Sequence, residues 1–199
     1  MKESVTWKIG GEAGFGIMSS GIMLAKAFSR AGYHVFSTNE YPSLIRGGHN
    51  LVTVRIATSK FSAMNRDVHI LVALNAETVD LHKNELSEGA VVVFDPKDKE
   101  WQAGDFPKKV ILIPIPFRQM TTQKAGDPIM RNTIALGVTI ALLGKPLDIL
   151  SAVIADQFKR KGQAVVDANV TIAKLGYDSI TKEHKDATDL VLADGYERG

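Results

Sequence analysis

Residues 5–28 read VTWKIGGEAGFGIMSSGIMLAKAF, and this stretch decides the fold class. It passes from a short apolar strand through a cluster of glycines into a helix in which small and apolar residues recur at helical spacing. A second strand, YHVFSTNE at residues 33–40, begins directly after Gly32, which is a natural helix stop. Strand, helix and strand in this order predict a Rossmann-like β-α-β unit at the start of the chain.

The rest of the chain extends this unit into an α/β fold. LVTVRIAT alternates as a strand does, and VHILVAL, AVVVFD and VILIPI are apolar runs typical of strands covered on both faces. Helices are predicted near residues 76–86, 131–143, 148–161 and 164–177. A loop is predicted within FRQMTTQKAGDPIMRNTIALG, among Arg118, Lys124 and Arg131. We therefore expect a three-layer α/β/α domain with a mostly parallel sheet and a helical C-terminal part. It would span residues 1–180, before a polar tail or linker at residues 181–199.

The composition excludes several classes of function. The 24 basic and 22 acidic residues nearly balance, and no face reads as a nucleic-acid stripe, so we expect no nucleic-acid partner. The absence of cysteine excludes disulfides, thiolate zinc sites and cysteine-ligated iron–sulfur clusters from this chain. The longest apolar run, TIALGVTIALLG, is shorter than the roughly 20 residues that cross a bilayer. The N-terminus lacks a signal-peptide core, and we expect a cytoplasmic protein without membrane association.

The glycine cluster between strand and helix is the first candidate site. Gly10, Gly11, Gly14 and Gly16 let the backbone turn sharply and approach a ligand, and the N-terminus of the following helix favours anions. Read from Gly14, the pattern is Gly-x-Gly-x-x-Ser, and Glu40 lies where a dinucleotide fold places its ribose-binding acid. Small residues at a tight turn also serve close packing, so both interpretations remain open.

Two further groups of polar residues are candidates for ligand contact. In EYPSLIRGGHN, residues 40–50, Arg46 is placed either to bind a phosphate or carboxylate or to pair with Glu40. Arg118, Lys124 and Arg131 surround the predicted loop and would either meet an acidic cofactor or form a solvated surface. The histidines form no i,i+4 pair, and no nucleophile stands with its base in a recognisable pattern. No residue is therefore predicted as catalytic or as a metal ligand.

The order of these motifs resembles a known family. GEAGFGIMSSG, GYHVFSTNEYPSLIRGGHN, VRIA, LVALN, GAVVVFD and RNTIALG are similar to the gamma domain of the 2-oxoacid:ferredoxin (or other acceptor) oxidoreductases, over residues 7–144. EYPSLIRGGHN is the most specific piece. The Gly-Glu-Ala-Gly-x-Gly start, with Ala13 where simpler gamma subunits usually have glycine, looks closest to the 2-oxoglutarate type, whose gamma domain is fused ahead of an alpha domain.

The resemblance implies a subunit of a complex that oxidatively decarboxylates a 2-oxoacid to an acyl-coenzyme A and passes electrons to ferredoxin or a similar acceptor. It places thiamine diphosphate, magnesium and iron–sulfur clusters in alpha, beta and possibly delta partner subunits, and it associates the gamma domain with assembly and with coenzyme A. The chain is expected to be inactive alone. The residues expected to face coenzyme A or a partner subunit are Gly11, Gly14, Gly16, Arg46, Gly47 and Gly48.

Two other functions fit the same residues. An autonomous NAD(P)-binding oxidoreductase of the Rossmann type would use the turn at Gly14 and Gly16 together with Glu40. A purely structural assembly module would bind partner subunits and no small ligand. Binding of NAD(H), of coenzyme A or of neither separates these hypotheses.

Overall fold

The computed structural model describes residues 1–14, 16–40, 48–63, 66–124, 130–184, 187 and 189–196, except for the side chains of residues 123 and 124. Its centre is a six-stranded sheet with the order β2-β3-β1-β4-β5-β6. The strands are β1 Ser4–Glu12, β2 His34–Glu40, β3 His49–Ala57, β4 Val68–Ala73, β5 Leu86–Phe94 and β6 Val110–Pro114. β1, β4, β5 and β6 are parallel neighbours, which confirms the predicted α/β fold with a mostly parallel sheet.

The first β-α-β unit differs from a Rossmann fold in one respect. β3 lies between β1 and β2 and is antiparallel to both, so the two strands of the unit run in the same direction without touching. The apolar face of β3 explains this position, because Val52 and Val54 stand opposite Ile9 and Trp7 of β1 in the same buried layer. Pairing of β3 with β1 buries both apolar stripes at once.

The helices cover both faces of the sheet. They are α1 Ile17–Arg30, α2 Ala76–His82, α3 Phe117–Lys124, α4 Arg131–Leu142, α5 Asp148–Phe158 and α6 Gln163–Glu183. Short 3-10 turns follow α2 and α5 and account for the residues that the sequence assigned to longer helices there. α6 continues to Glu183, beyond the predicted end near residue 177, and Ile180 in this extension is buried.

The loop predicted around Arg118 and Lys124 is wrong at these two residues, because both belong to α3. The carboxylate of Asp95 accepts a hydrogen bond from the N–H of Arg118 at 2.9 Å and so caps the start of this helix. Phe117 is buried and anchors the first turn. The cap comes from 23 positions away in the sequence, so local propensity does not reveal it.

The two faces of the sheet have different chemistry. Val5, Trp7 and Ile9 of β1 are fully buried in the large apolar cluster that includes α1, α4, α5 and α6. The indole N–H of Trp7 donates to the hydroxyl of Thr139 at 2.9 Å, which satisfies the donor inside this cluster. The opposite face carries a smaller apolar cluster around Trp101. This smaller cluster includes residues of α2 and of the segment between β5 and β6.

The described part of the C-terminal tail packs against the domain. Leu192 is fully buried, and its N–H donates to the carbonyl of Leu143 at 3.1 Å. The N–H of Tyr196 donates to the carbonyl of Gly32 at 2.9 Å. The predicted boundary between a domain at residues 1–180 and a tail or linker at residues 181–199 stays a prediction. Among the described residues, no helix combines the length and apolar character of a membrane span.

Candidate functional site

The carboxyl edge of the central strands is where the topology creates a crevice. β1 and β4 are parallel neighbours, but α1, which follows β1, packs on one face of the sheet, whereas α2, which follows β4, packs on the other. The two chain segments therefore diverge at the ends of adjacent strands. Open α/β sheets bind ligands at such a switch point, outside the carboxyl ends of the strands.

The predicted glycines meet at this edge. Gly11 is at the end of β1, and Gly14 and Gly16 follow it with φ angles of 96° and 69° in the left-handed region. Gly48, with φ 105°, lies against the same turn because its carbonyl accepts a hydrogen bond from the N–H of Ala13 at 3.1 Å. The structure thus brings together all the predicted glycines that it describes.

The remaining predicted residues, Arg46 and Gly47, lie outside the described residues. We call the site formed by Gly11, Gly14, Gly16, Gly48 and the start of α1 the glycine corner. Gly16 is the N-cap of α1, and no side chain of the described residues caps this helix. The N–H groups of the first helical turn lack intrahelical acceptors, and their dipoles favour a negative charge. A backbone corner of this kind suits a phosphate without requiring a cationic side chain.

The dinucleotide arrangement is not reproduced. Glu40 stands opposite Leu51 of β3, and Leu51 stands opposite Gly10 of β1. Glu40 is therefore two strand spacings, about 10 Å, from β1. A dinucleotide fold needs β2 directly beside β1 so that the acid reaches the ribose of a ligand seated on the glycine turn. The insertion of β3 removes that geometry and with it the main support for the NAD(P) hypothesis.

The predicted basic group is only partly assembled. The guanidinium of Arg118 forms an ion pair with Asp98. Arg131 is close enough for mutual influence: burial lowers its pKa and the charge of Arg118 lowers it further, whereas Asp95 and Glu12 act in the opposite direction. Two arginines and their carboxylates thus share the carboxyl edge. The side chain of Lys124 lies outside the described residues.

A hydrogen-bonded chain of ionisable side chains was not predicted. The Nε2 atoms of His49 and His82 lie 3.2 Å apart, and the Nδ1–H of His82 donates to Glu85 at 2.7 Å. Glu85 also forms an ion pair with Lys8, whose side chain is 7% exposed. A lone lysine in a buried strand indicates a hidden carboxylate partner, and Lys8 was the signal that sequence reasoning did not use.

Burial and hydrogen bonding set the pKa values of His49 and Glu85 in this hydrogen-bonded chain of side chains. Burial lowers the pKa of His49, and the neighbouring His82 lowers it further, so the neutral ring is favoured. Burial by itself would raise the pKa of Glu85, but its hydrogen bonds with Lys8 and His82 outweigh burial and lower it. These hydrogen-bonded side chains hold the end of α2 over β1. No group of three metal-ligating side chains occurs in the described part of the protein.

Comparisons with known proteins agree with this geometry. A family model described as pyruvate ferredoxin/flavodoxin oxidoreductase matches residues 6–179. The alpha subunit of 2-oxoacid:ferredoxin oxidoreductase 2 of Aeropyrum pernix is 25% identical in an alignment of 212 residues, gaps included, that covers 86% of this chain and 33% of that protein. The chain therefore spans about a third of the length of this relative.

Two solved structures share the fold. The 2-oxoglutarate:ferredoxin oxidoreductase of Magnetococcus marinus, solved with 2-oxoglutarate, coenzyme A and succinyl-CoA bound, is 27% identical, with a TM-score of 0.89 over 99% of this chain and 34% of its own. The gamma subunit of a keto/oxoacid ferredoxin oxidoreductase of Geobacter sulfurreducens is 22% identical, with a TM-score of 0.74 over 89% of this chain and 96% of its own. The resemblance seen in the sequence is confirmed.

Proposed function

The chain belongs to the pyruvate ferredoxin/flavodoxin oxidoreductase family, and we propose that it is the gamma component of a 2-oxoacid:ferredoxin oxidoreductase complex of the 2-oxoglutarate type. The glycine corner at the switch point carries this proposal, because Gly11, Gly14, Gly16 and Gly48 offer backbone to a ligand. The similarity to the Magnetococcus marinus enzyme supports the choice of 2-oxoglutarate.

In this role the domain accommodates coenzyme A and supports assembly. The phosphates of coenzyme A would lie against the first turn of α1, where N–H groups and the helix dipole favour anions. Arg46 precedes Gly48 by two positions in the sequence, and we propose that it adds a bidentate contact to a phosphate. The glycines exclude side chains from the corner and let the ligand approach the backbone.

The reacting groups of the complex would lie in its partner subunits. Thiamine diphosphate with magnesium and the iron–sulfur clusters would supply decarboxylation and electron transfer from the alpha, beta and possibly delta parts, and ferredoxin or a similar acceptor would take the electrons. The chain itself has no cysteine to ligate a cluster. We therefore propose that the isolated chain is inactive and that the complex works in the cytoplasm.

Replacement of Arg46 tests the coenzyme A contact. In the reconstituted complex, Arg46→Ala should raise the KM for coenzyme A about 10- to 150-fold, the equivalent of about 1.5–3 kcal/mol for a charged hydrogen bond, and leave the KM for 2-oxoglutarate unchanged. Arg66→Ala is the matched control, since Arg66 is exposed and lies outside the glycine corner. Unchanged coenzyme A dependence and unchanged assembly in the Arg46 variant would remove this site from consideration.

A turnover assay tests whether the reaction requires the partner subunits. The purified chain, mixed with 2-oxoglutarate, coenzyme A, thiamine diphosphate, magnesium and a viologen dye, should reduce no dye until the partner subunits are added. Dye reduction by the chain alone would overturn the assignment as a gamma component.

A further inference from the structure

An interaction surface follows the outer edge of β2. β2 is the last strand on one side of the sheet, so no strand that the structure describes pairs with its outer edge. In an antiparallel pair every second residue directs its N–H and C=O away from the partner, which leaves a row of donors and acceptors along His34–Glu40. The strand contains neither proline nor lysine, the usual protections of a free edge, so it can accept another strand.

Both faces of the sheet expose a large apolar side chain beside this edge. Phe36 of β2 is 50% exposed, and Ile22 of α1 is 48% exposed. A groove of about 370 Å³ runs between α1 and β2, and Ala25, Ser29 and Val35 line it. Ile22 belongs to the same stripe of α1 as Ala25 and Ser29. Phe36 points to the opposite face from Val35, because side chains alternate along a strand. A partner strand with its own helix would therefore cover both apolar side chains.

The sequence of β2 is complementary to itself in the antiparallel direction. If two copies of β2 pair about Ser37, His34 of each copy stands opposite Glu40 of the other. An imidazole opposite a carboxylate is a favourable cross-strand pair, it forms twice, and no like charges of β2 meet in this register. The two Phe36 side chains become diagonal neighbours, about 7–8 Å apart, which aromatic rings can span. A second copy of the chain therefore matches this edge at both ends and at its centre.

The same register places α1 of the two copies side by side. Residues directly opposite each other share a face, so the two grooves join above the paired strands. α1 packs against both β2 and β3, and a helix centred between them would lie about 10 Å from its counterpart, close to the usual spacing of packed helices. Ala25 and Ser29 are small enough for this approach, which would bury Ile22. Lys26 also lines the groove, and its flexible stem lets the ammonium reach solvent.

We propose that the edge of β2 is a homodimer interface. Two copies of this chain pair antiparallel along His34–Glu40, about a two-fold axis at Ser37, and form one sheet of twelve strands, six from each copy. The interface is isologous, because the same patch of surface serves both copies. It makes no use of coenzyme A or of the glycine corner, so the dimer and the proposed function stand or fall separately.

Engineered cysteines test the register, because the chain has no cysteine of its own. Opposite Cα atoms in an antiparallel pair lie about 4.5–5.5 Å apart, within the range of about 4.4–6.8 Å that a disulfide spans. Ser37→Cys should therefore give a disulfide-linked dimer on mild oxidation. Asn39→Cys is the matched control on the same exposed face, since its counterpart lies four residues, about 14 Å, along the partner strand. Linkage of Ser37→Cys no greater than that of Asn39→Cys would overturn the proposal.

Sedimentation equilibrium of the full chain tests the dimer itself. The chain should show twice its monomer mass at high concentration and dissociate reversibly on dilution. Phe36→Lys and Ile22→Lys should each raise the dissociation constant at least tenfold, because each replaces a buried apolar contact by two ammonium groups near the axis. Leu81→Lys is the control and should change nothing, since Leu81 is 53% exposed on α2, away from β2. A chain that stays monomeric up to about 100 µM, or a dimer indifferent to both variants, would refute the interface.

A charge swap separates self-pairing from the docking of another subunit. His34→Glu should weaken the dimer about fivefold, since it sets two carboxylates opposite each other at both ends of the strand pair. Addition of Glu40→Lys should recover the affinity, because opposite charges again face each other. Failure of the double variant to recover it, with both proteins folded by circular dichroism, would reject the register. If Phe36→Lys blocks assembly with partner subunits while the unmodified chain alone is monomeric, the edge binds another subunit and self-pairing is refuted.

Discussion

The crossing of α4 and α6 gives the sharpest test of how the helices of this domain pack. Gly137 on α4 faces the backbone of α6, and Gly176 on α6 faces the backbone of α4. A Cβ on Gly137 would overlap the carbonyl oxygen of Ala173 and lie 2.8 Å from its carbonyl carbon. A Cβ on Gly176 would overlap the carbonyl oxygen of Ile134. Both substitutions therefore meet backbone, which cannot rotate away as a side chain can.

The magnitude follows from the displacement that alanine demands. For Gly137→Ala, the carbonyl carbon alone demands that α6 move by about 0.6 Å to reach ordinary van der Waals distance, and the overlapped oxygen demands a larger movement. A gap of about 0.5–1 Å already forfeits a quarter to a half of each dispersion contact. Overpacking costs about 1–3 kcal/mol and more where backbone is involved, whereas alanine gains about 1 kcal/mol of helix propensity over glycine. We expect a net loss of about 2 kcal/mol in the free energy of unfolding.

Urea unfolding followed by circular dichroism measures this loss for each variant. Gly104→Ala is the control, because nothing lies within 4 Å of its added Cβ, and its stability should change by less than about 0.5 kcal/mol. The double variant of Gly137 and Gly176 should lose less than the sum of the single losses, since one displacement relieves both contacts. Losses no larger than that of the control would refute the backbone contact between the helices.

Three further predictions concern stability. Burial lowers the pKa of His69, whose Nδ1 accepts a hydrogen bond from the N–H of Thr6 at 3.1 Å. The unfolded state therefore binds a proton at His69 more readily than the folded state does. We expect the free energy of unfolding to fall as the pH drops below about 6.5. His69→Asn keeps an acceptor that does not titrate, and urea titrations across this pH range should show a flatter slope; an unchanged slope would contradict the assignment. Glu85→Gln should destabilise the protein by about 1–3 kcal/mol, because it leaves the buried ammonium of Lys8 without its carboxylate. Lys8→Met should cost less, and the reverse order in chemical denaturation would disprove the ion pair of Lys8 with Glu85. Truncation after Asp189 removes two buried leucines and should lower the free energy of unfolding by about 3–5 kcal/mol, whereas unaltered thermal and urea transitions would show that the tail contributes no packing.

The sequence alone determined the features whose signals are local. The apolar runs of β4, β5 and β6 predicted the mostly parallel sheet, because strands covered on both faces lack alternation. The turn around Gly14 and Gly16 was predicted because a strand that leads into a helix within a few residues needs backbone that tolerates positive φ. The motif in EYPSLIRGGHN carried the family resemblance, which the comparison over residues 6–179 confirmed.

Only the tertiary structure decided which distant segments are neighbours. The place of β3 between β1 and β2 depends on pairing of apolar faces, and no spacing along the chain encodes strand order. The cap of α3 by Asp95 joins groups 23 positions apart, and the contact of His49 with His82 joins groups 33 positions apart. Residues of α1, α4, α5 and α6, which are far apart in the sequence, line one common cavity. Periodicity reports which face of an element is buried, whereas the partner across that face is chosen by packing of the whole chain.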